Sequence, residues 1–258
     1  MIPFSCTDHE LTASLKLTII DIPSIDDSVR TVLDENFVSI CDGESDSSLT
    51  TIKKHVKNLF EKKNETWRMG AIAEFFVHLY IKLVGFKQEC LFLNLEENSI
   101  KKGFDGFYSI SNEPWLMESK SGSITTQNIS HAGKITEAMN DLAEKVSGEA
   151  AGSIPNNPWR NAYSHANQFS VNTAEPLRKW IKNLSDEFTN GTYHTIDEFN
   201  TIPCGTIFLT GQWIEQDHEA ICDSILAIAD RLKGKNVHAI CITHASIAAF
   251  VEYISSEG

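Results

Sequence analysis

The chain lacks the sequence features of exported and membrane-embedded proteins. Its first sixteen residues have neither the basic start nor the continuous apolar run of a secretory signal. Nowhere do the 258 residues approach the roughly twenty consecutive apolar positions that span a bilayer. We therefore expect a cytoplasmic protein with no membrane partner.

Clustered cysteine and histidine are also missing. The six cysteines contain no pair separated by two residues, and no group of histidines lies beside them. This excludes a zinc site of the usual spacing and gives no support to a disulfide framework. We expect reduced thiols that are mostly buried. They are Cys6, Cys41, Cys90, Cys204, Cys222 and Cys241.

Positive charge is scarce as well. The formal net charge is −13, and the acids concentrate in residues 21–46 and 186–219. A protein that holds nucleic acid unaided usually presents a basic face to the phosphates. Lys101, Lys102 and Lys134 supply some local positive charge, but we expect a partner to provide most of the grip on any nucleic acid.

The residues that are present favour a globular α/β protein with a central mixed β-sheet flanked by helices. About 41% of them are hydrophobic, enough for a sizeable core. We predict a single domain over residues 1–258, with an N-terminal extension (1–48), a core (49–148) and a C-terminal part that completes the sheet (149–258). Apolar periodicity predicts helices at 49–60, 65–84, 129–146, 173–188 and 216–232, and strands at 14–22, 89–95, 104–110, 115–119, 205–211 and 237–243.

Two neighbouring segments carry candidate chemistry. Asp105 lies in Gly103-Phe104-Asp105-Gly106-Phe107, and Glu118 and Lys120 lie in the segment that begins at Trp115. Residues two apart on a strand share a face, and a turn near residues 111–114 brings Asp105 alongside. Two carboxylates hold a hard divalent cation, and an adjacent ammonium orients water or a phosphate oxygen. This is the equipment of a metal-dependent phosphodiesterase.

A simpler interpretation of these residues stays open. Asp105 is also a common turn residue, and Glu118 with Lys120 is also a frequent surface ion pair of little energetic consequence. Glu74, which borders the apolar stripe of the helix at 65–84, is by itself more typical of a boundary residue. The apolar residues Trp115, Leu116 and Met117 favour the catalytic interpretation, because they indicate a buried strand in which unpaired charge is costly.

Together these residues resemble the PD-(D/E)xK phosphodiesterase superfamily. The resemblance runs from the helix with Glu74 through Lys120 and the following helix. It implies a restriction-endonuclease-like core in which Asp105 and Glu118 bind the metal ion, Glu74 supports them and Lys120 is the catalytic lysine. Phe104 stands where the motif has its proline.

Within that superfamily the chain resembles the HamA-type nuclease subunits of Hachiman antiviral systems, in its size and in its Gly-Phe-Asp and Glu-Ser-Lys-Ser elements. This resemblance implies DNA as substrate, Mg²⁺ or Mn²⁺ as cofactor, a superfamily 2 helicase as partner, and cleavage restrained until phage attack. Candidate nucleic-acid contacts are Lys101, Lys102, His131 and Lys134, although a solvated face is favoured for the last two.

Two other functions remain possible from the sequence. A silent subunit that keeps the fold but only senses or binds is consistent with the acidic charge. A stand-alone restriction-type or RNA-directed nuclease of the same superfamily is consistent with the motif.

Overall fold

The computed structural model describes residues 2–94, 99–100, 103–149 and 156–256. Within these ranges seven strands form one mixed sheet and helices cover both of its faces. The fold class expected from the sequence is confirmed.

The helices begin at residues suited to capping. Asp26, Ser48, Asn64 and Ser130 each accept a backbone N–H of the first turn through the side chain. The helices are α1 (Asp27–Asp42), α2 (Leu49–Glu61), α3 (Glu65–Leu83), α4 (His131–Ser147), α5 (Pro158–Ala166), α6 (Glu175–Thr189), α7 (His218–Leu226) and α8 (Ile247–Ser255).

The strands are β1 (Ser5–Glu10), β2 (Leu15–Ile22), β3 (Lys87–Gln88), β4 (Leu93–Asn94), β5 (Ser99–Ile100), β6 (Gly106–Ile110), β7 (Glu113–Ser123), β8 (Asn200–Phe208) and β9 (Val237–His244). Their order in the main sheet is β1-β2-β9-β8-β7-β6-β3, while β4 and β5 pair separately. The strands β2, β9, β8 and β7 are parallel, and both edges are antiparallel.

Each face of the sheet has its own hydrophobic core. On one face α1, α2, α3 and α8 pack with Met117, Ile202 and Ile240. On the other face α4, α5, α6 and α7 pack with Leu116 and Ala239. The two cores receive alternate residues of β7, as the two-residue period of a strand requires.

The β6–β7 hairpin closes through Ser111 and Asn112, which have positive φ angles of 50° and 65°. Consecutive residues of this conformation form the type I′ turn, whose twist matches that of two antiparallel strands. The turn predicted between the two strands is therefore confirmed, and it fixes the register of Phe107 opposite Leu116.

The expected strand at 89–95 is largely wrong. Residues 89–92 lie outside any strand, and Leu95 is outside the described residues. Residues 89–92 are nevertheless buried, and other elements satisfy their polar groups. The N–H of Phe92 donates to the carbonyl of Ile40, and Glu89 accepts from Ser109 and Thr173. Within the described part of the chain, no helix has both the length and the apolar character needed to cross a membrane.

Candidate active site

The hairpin brings Asp105 beside the middle of β7. Gly106 pairs with Met117, so the residue before β6 lies next to Glu118 in the adjoining strand. One carboxylate oxygen of Asp105, Oδ2, accepts a hydrogen bond of 2.9 Å from the backbone N–H of Ser119. The side chain of Asp105 is thereby fixed by the backbone of the strand that carries Glu118 and Lys120.

Glu118 and Lys120 project from the face of the sheet that α4 covers. They alternate with Met117 and Ser119 and share the parity of Leu116, which packs in the α4 core. The predicted common face is confirmed by a hydrogen bond of 3.1 Å from Lys120 Nζ to Glu118 Oε1. Glu118 is only 2% exposed, so its contact with Lys120 is not a surface ion pair, and that simpler interpretation is wrong.

A second lysine completes the environment of Glu118. Lys145, in the last turn of α4, places its Nζ 2.5 Å from Glu118 Oε2. Each oxygen of this buried carboxylate therefore contacts an ammonium group. Lys120 also forms an ion pair with Asp141, one helical turn before Lys145.

Burial and charge oppose each other at these groups. Burial, and after it the negative charge of Asp105, raises the pKa of Glu118 to about 7, although Lys145 and Lys120 act in the opposite direction. Burial disfavours the charge of Lys120, but the attraction of Glu118, Asp141 and Asp105 outweighs it and raises the pKa of Lys120 above its usual value. Lys120 is accordingly a permanent cation at neutral pH.

The donor set of Asp105 and Glu118 fits a hard divalent cation. Mg²⁺ is commonly held by one or two carboxylates, with water and substrate phosphate oxygens as the other ligands. The charge of Asp105 raises the pKa of Glu118, and a bound cation would relieve this repulsion. Among the described residues, no group of three His, Cys, Asp or Glu side chains is arranged to hold a metal ion.

Glu74 lies in a different set of contacts. It is buried in α3, and its Oε1 lies 3.3 Å from Nε2 of His78, whose Nδ1 in turn contacts the hydroxyl of Tyr108. Tyr108 and α3 belong to the core on the face opposite α4. Burial with polar partners excludes a surface boundary role for Glu74, and its support of the acid pair stays a prediction.

The predicted nucleic-acid contacts are placed differently from one another. Lys134 forms an ion pair of 2.8 Å with Glu137 on the same helix. His131 is buried and contacts Gly205 and Thr243, so the favoured expectation of a solvated face is wrong for this residue. Lys101 and Lys102 lie outside the described residues.

Sequence reasoning missed Asp141 and Lys145. They are four residues apart on α4, so they lie on one face of that helix, together with the buried apolar stripe of Met139, Leu142 and Val146. An acid and a base four residues apart beside such a stripe are the signal that the sequence offers. This signal does not indicate which strand the two side chains contact.

Comparison with known proteins identifies the family of the chain. A family model described as HamA matches residues 6–257, nearly the full length of the chain. The chain belongs to the HamA family. HamA proteins are components of Hachiman antiphage defence, and the matched region of this HamA chain includes the β6–β7 hairpin and α4. No curated protein matches the chain.

Proposed function

We propose that this HamA chain is a metal-dependent nuclease that hydrolyses DNA and acts with a superfamily 2 helicase partner in Hachiman defence. The observation that carries the proposal is the cluster of Asp105, Glu118 and Lys120, in which Glu118 is buried and the other two are partly buried. Removing a charged carboxylate from water is costly, and neither core needs this charge for packing. A chemical role gives a reason for the burial of Glu118.

The roles follow from the chemistry of each group. Asp105 and Glu118 would hold Mg²⁺ or Mn²⁺, which supplies a nucleophilic water and neutralises phosphate charge when it is bound. Lys120, a cation at neutral pH, would donate to a phosphate oxygen as negative charge develops there. Asp141 would orient Lys120 through their ion pair.

A cleavage assay on three variants tests this function. Glu118→Gln and Lys120→Met should each lower DNA cleavage by at least about 100-fold, the usual loss when an electrostatic stabiliser of the transition state is removed. Lys182→Met is the matched control, because Lys182 forms an exposed ion pair with Asp186 on α6. The assay uses DNA and RNA substrates, with and without the helicase, in Mg²⁺ or EDTA.

The alternatives give different results in the same assay. Full cleavage by both site variants contradicts the proposal. No cleavage by the wild-type chain under any condition, with retained helicase binding, identifies a sensing or scaffolding subunit. Preferential cleavage of RNA identifies an RNA-directed enzyme.

A further inference from the structure

Lys145 occupies the carboxylate oxygen of Glu118 that Lys120 leaves free. The two ammonium groups lie 3.1 Å and 2.5 Å from Oε1 and Oε2 of Glu118, and the carboxylate is 2% exposed. A metal ion that binds Glu118 must therefore come within the contact distance of an ammonium group. The Coulomb repulsion between them is strong in a site shielded from water.

Lys145 has fewer acid partners than Lys120 among the described contacts, although its ammonium group lies nearer to Glu118. Lys120 contacts Asp141 as well as Glu118, whereas the described contacts of Lys145 include one acid, Glu118. The side chain of Lys145 is 22% exposed, and it leaves from the last turn of α4, directly before the left-handed residue Gly148 that ends the helix. A long flexible side chain at this position reaches solvent by rotation alone.

We propose that Lys145 is an internal competitor of the metal ion for Glu118. With the ammonium on Oε2 the acid pair is neutralised, and metal binding requires Lys145 to leave toward solvent. This rests on the proposed function of the site and adds a restraint to it: the chain lowers its own metal affinity until something draws Lys145 away.

Calorimetric titration of the full chain with Mn²⁺ and with Mg²⁺ at pH 8 tests the competition. Lys145→Met should lower the Kd for the metal by about tenfold, because the competing charge is gone. Lys145→Arg keeps the charge and should retain the wild-type Kd, as should the control Lys182→Met. Lys145→Gln provides a second neutral variant, and circular dichroism verifies that each variant is folded.

A second readout needs no substitution. Acetylation of Lys145 by a lysine-reactive ester, quantified by mass spectrometry of the wild-type chain, should increase when saturating Mn²⁺ is added. Acetylation of Lys182 should not change. Unchanged reactivity of Lys145 overturns the proposal.

The failure of this proposal differs from the failure of the proposed function. If the wild-type chain binds metal, and Asp105→Asn abolishes binding, but both neutral variants of Lys145 have an unchanged or weaker Kd, Lys145 is not a competitor and the metal site stands. If no variant binds metal, both the competitor and the metal-dependent nuclease are overturned.

Discussion

At the scale of single residues, the environment of Glu118 says most about the chemistry of the candidate site. Its carboxylate is buried, contacts two ammonium groups and lies beside Asp105, whose charge raises the pKa of Glu118. A buried charged group adds little net stability, and removing one of its partners usually lowers the unfolding free energy by several kcal/mol. Such a group is therefore expected mainly where function requires it. The proposed function gives a reason for a cluster that burial makes costly.

His131 is a second buried titratable residue, and its contacts fix its protonation. Nδ1 lies 3.1 Å from the carbonyl oxygen of Gly205 and must donate, so Nε2 accepts from the hydroxyl of Thr243 in the neutral ring. Burial lowers the pKa of His131 to about 4, although the bond to Gly205 acts in the opposite direction.

This predicts a specific acid sensitivity. The unfolded chain binds a proton at His131 near pH 6.5 and the folded chain only near pH 4, so stability is present above pH 6.5 and is lost as the pH falls. Between pH 7 and pH 4.5 the wild type should lose about 2.5 kcal/mol more unfolding free energy than His131→Gln. Urea unfolding at both pH values measures this change in unfolding free energy. An equal change in the wild type and in His131→Gln contradicts the prediction, and the variant His55→Gln, at an exposed residue, is the control.

The sequence predicts some of the site residues and not others, for a physical reason. Asp105, Glu118 and Lys120 lie on one hairpin, so strand alternation and a turn suffice to bring them together. Lys145 lies 27 residues after Glu118, and its contact depends on how α4 is rotated and placed on the sheet. Tertiary packing decides that, and local pattern does not.

At the scale of elements, the position of α4 depends on a close approach to β8 at Gly205. A methyl group added to Gly205 would lie 3.1 Å from the backbone oxygen of His131 and 3.1 Å from Cβ of Lys134. The first of these is backbone, which cannot rotate away. The absence of a side chain at Gly205 therefore lets α4 lie near enough to place Lys145 on Glu118.

Two glycine substitutions with opposite outcomes test this packing. Gly205→Ala should lower the unfolding free energy by about 1 to 3 kcal/mol through overpacking. Gly70→Ala in α3, where nothing lies within 4 Å of the added carbon, should raise it by about 0.5 to 1 kcal/mol through helix propensity. Thermal denaturation compares both with the wild type. A neutral Gly205→Ala would mean that α4 tolerates displacement.

Long periodic elements were predictable, and short or edge elements were not. The helix expected at 65–84 is α3, Glu65–Leu83, because apolar residues recur at helical spacing from Met69 to Leu83. The expected strand at 205–211 is instead β8, Asn200–Phe208, which is buried throughout and so shows no alternation. The missed elements include the short β1, α5 and α8, which have at most nine residues each.

At the scale of the whole molecule, the net charge of −13 favours a division of roles, in which this chain is proposed to cleave DNA and a partner binds it. The described lysines at the site are already paired with acids: Lys120 with Glu118 and Asp141, and Lys145 with Glu118. Positive charge that is neutralised within the fold contributes little to counterion release from DNA. In the proposed function, the helicase partner would supply most of the affinity for DNA.

We therefore expect the isolated chain to bind DNA with a Kd weaker than roughly 10⁻⁴ M at physiological salt, the weak end of non-specific binding. Adding the helicase should bring both proteins onto the same DNA. Fluorescence anisotropy of a labelled DNA duplex across a salt series measures the Kd of the isolated chain and the binding of the two proteins together. Micromolar binding by the isolated chain would contradict this division of labour.

The parallel pairing of β2 with β9 has a consequence for biosynthesis. Leu15 lies opposite Val237, so β2 cannot pair with β9 until residue 237 has been synthesised. Likewise β7, which carries Glu118 and Lys120, obtains its parallel partner β8 only after residue 200 has been added. Pairings so distant in sequence form slowly and late. A ribosome-bound fragment that ends before β8 therefore contains the β6–β7 hairpin without its parallel neighbour, and Glu118 and Lys120 lie in an incomplete sheet until residues 200–208 have been synthesised.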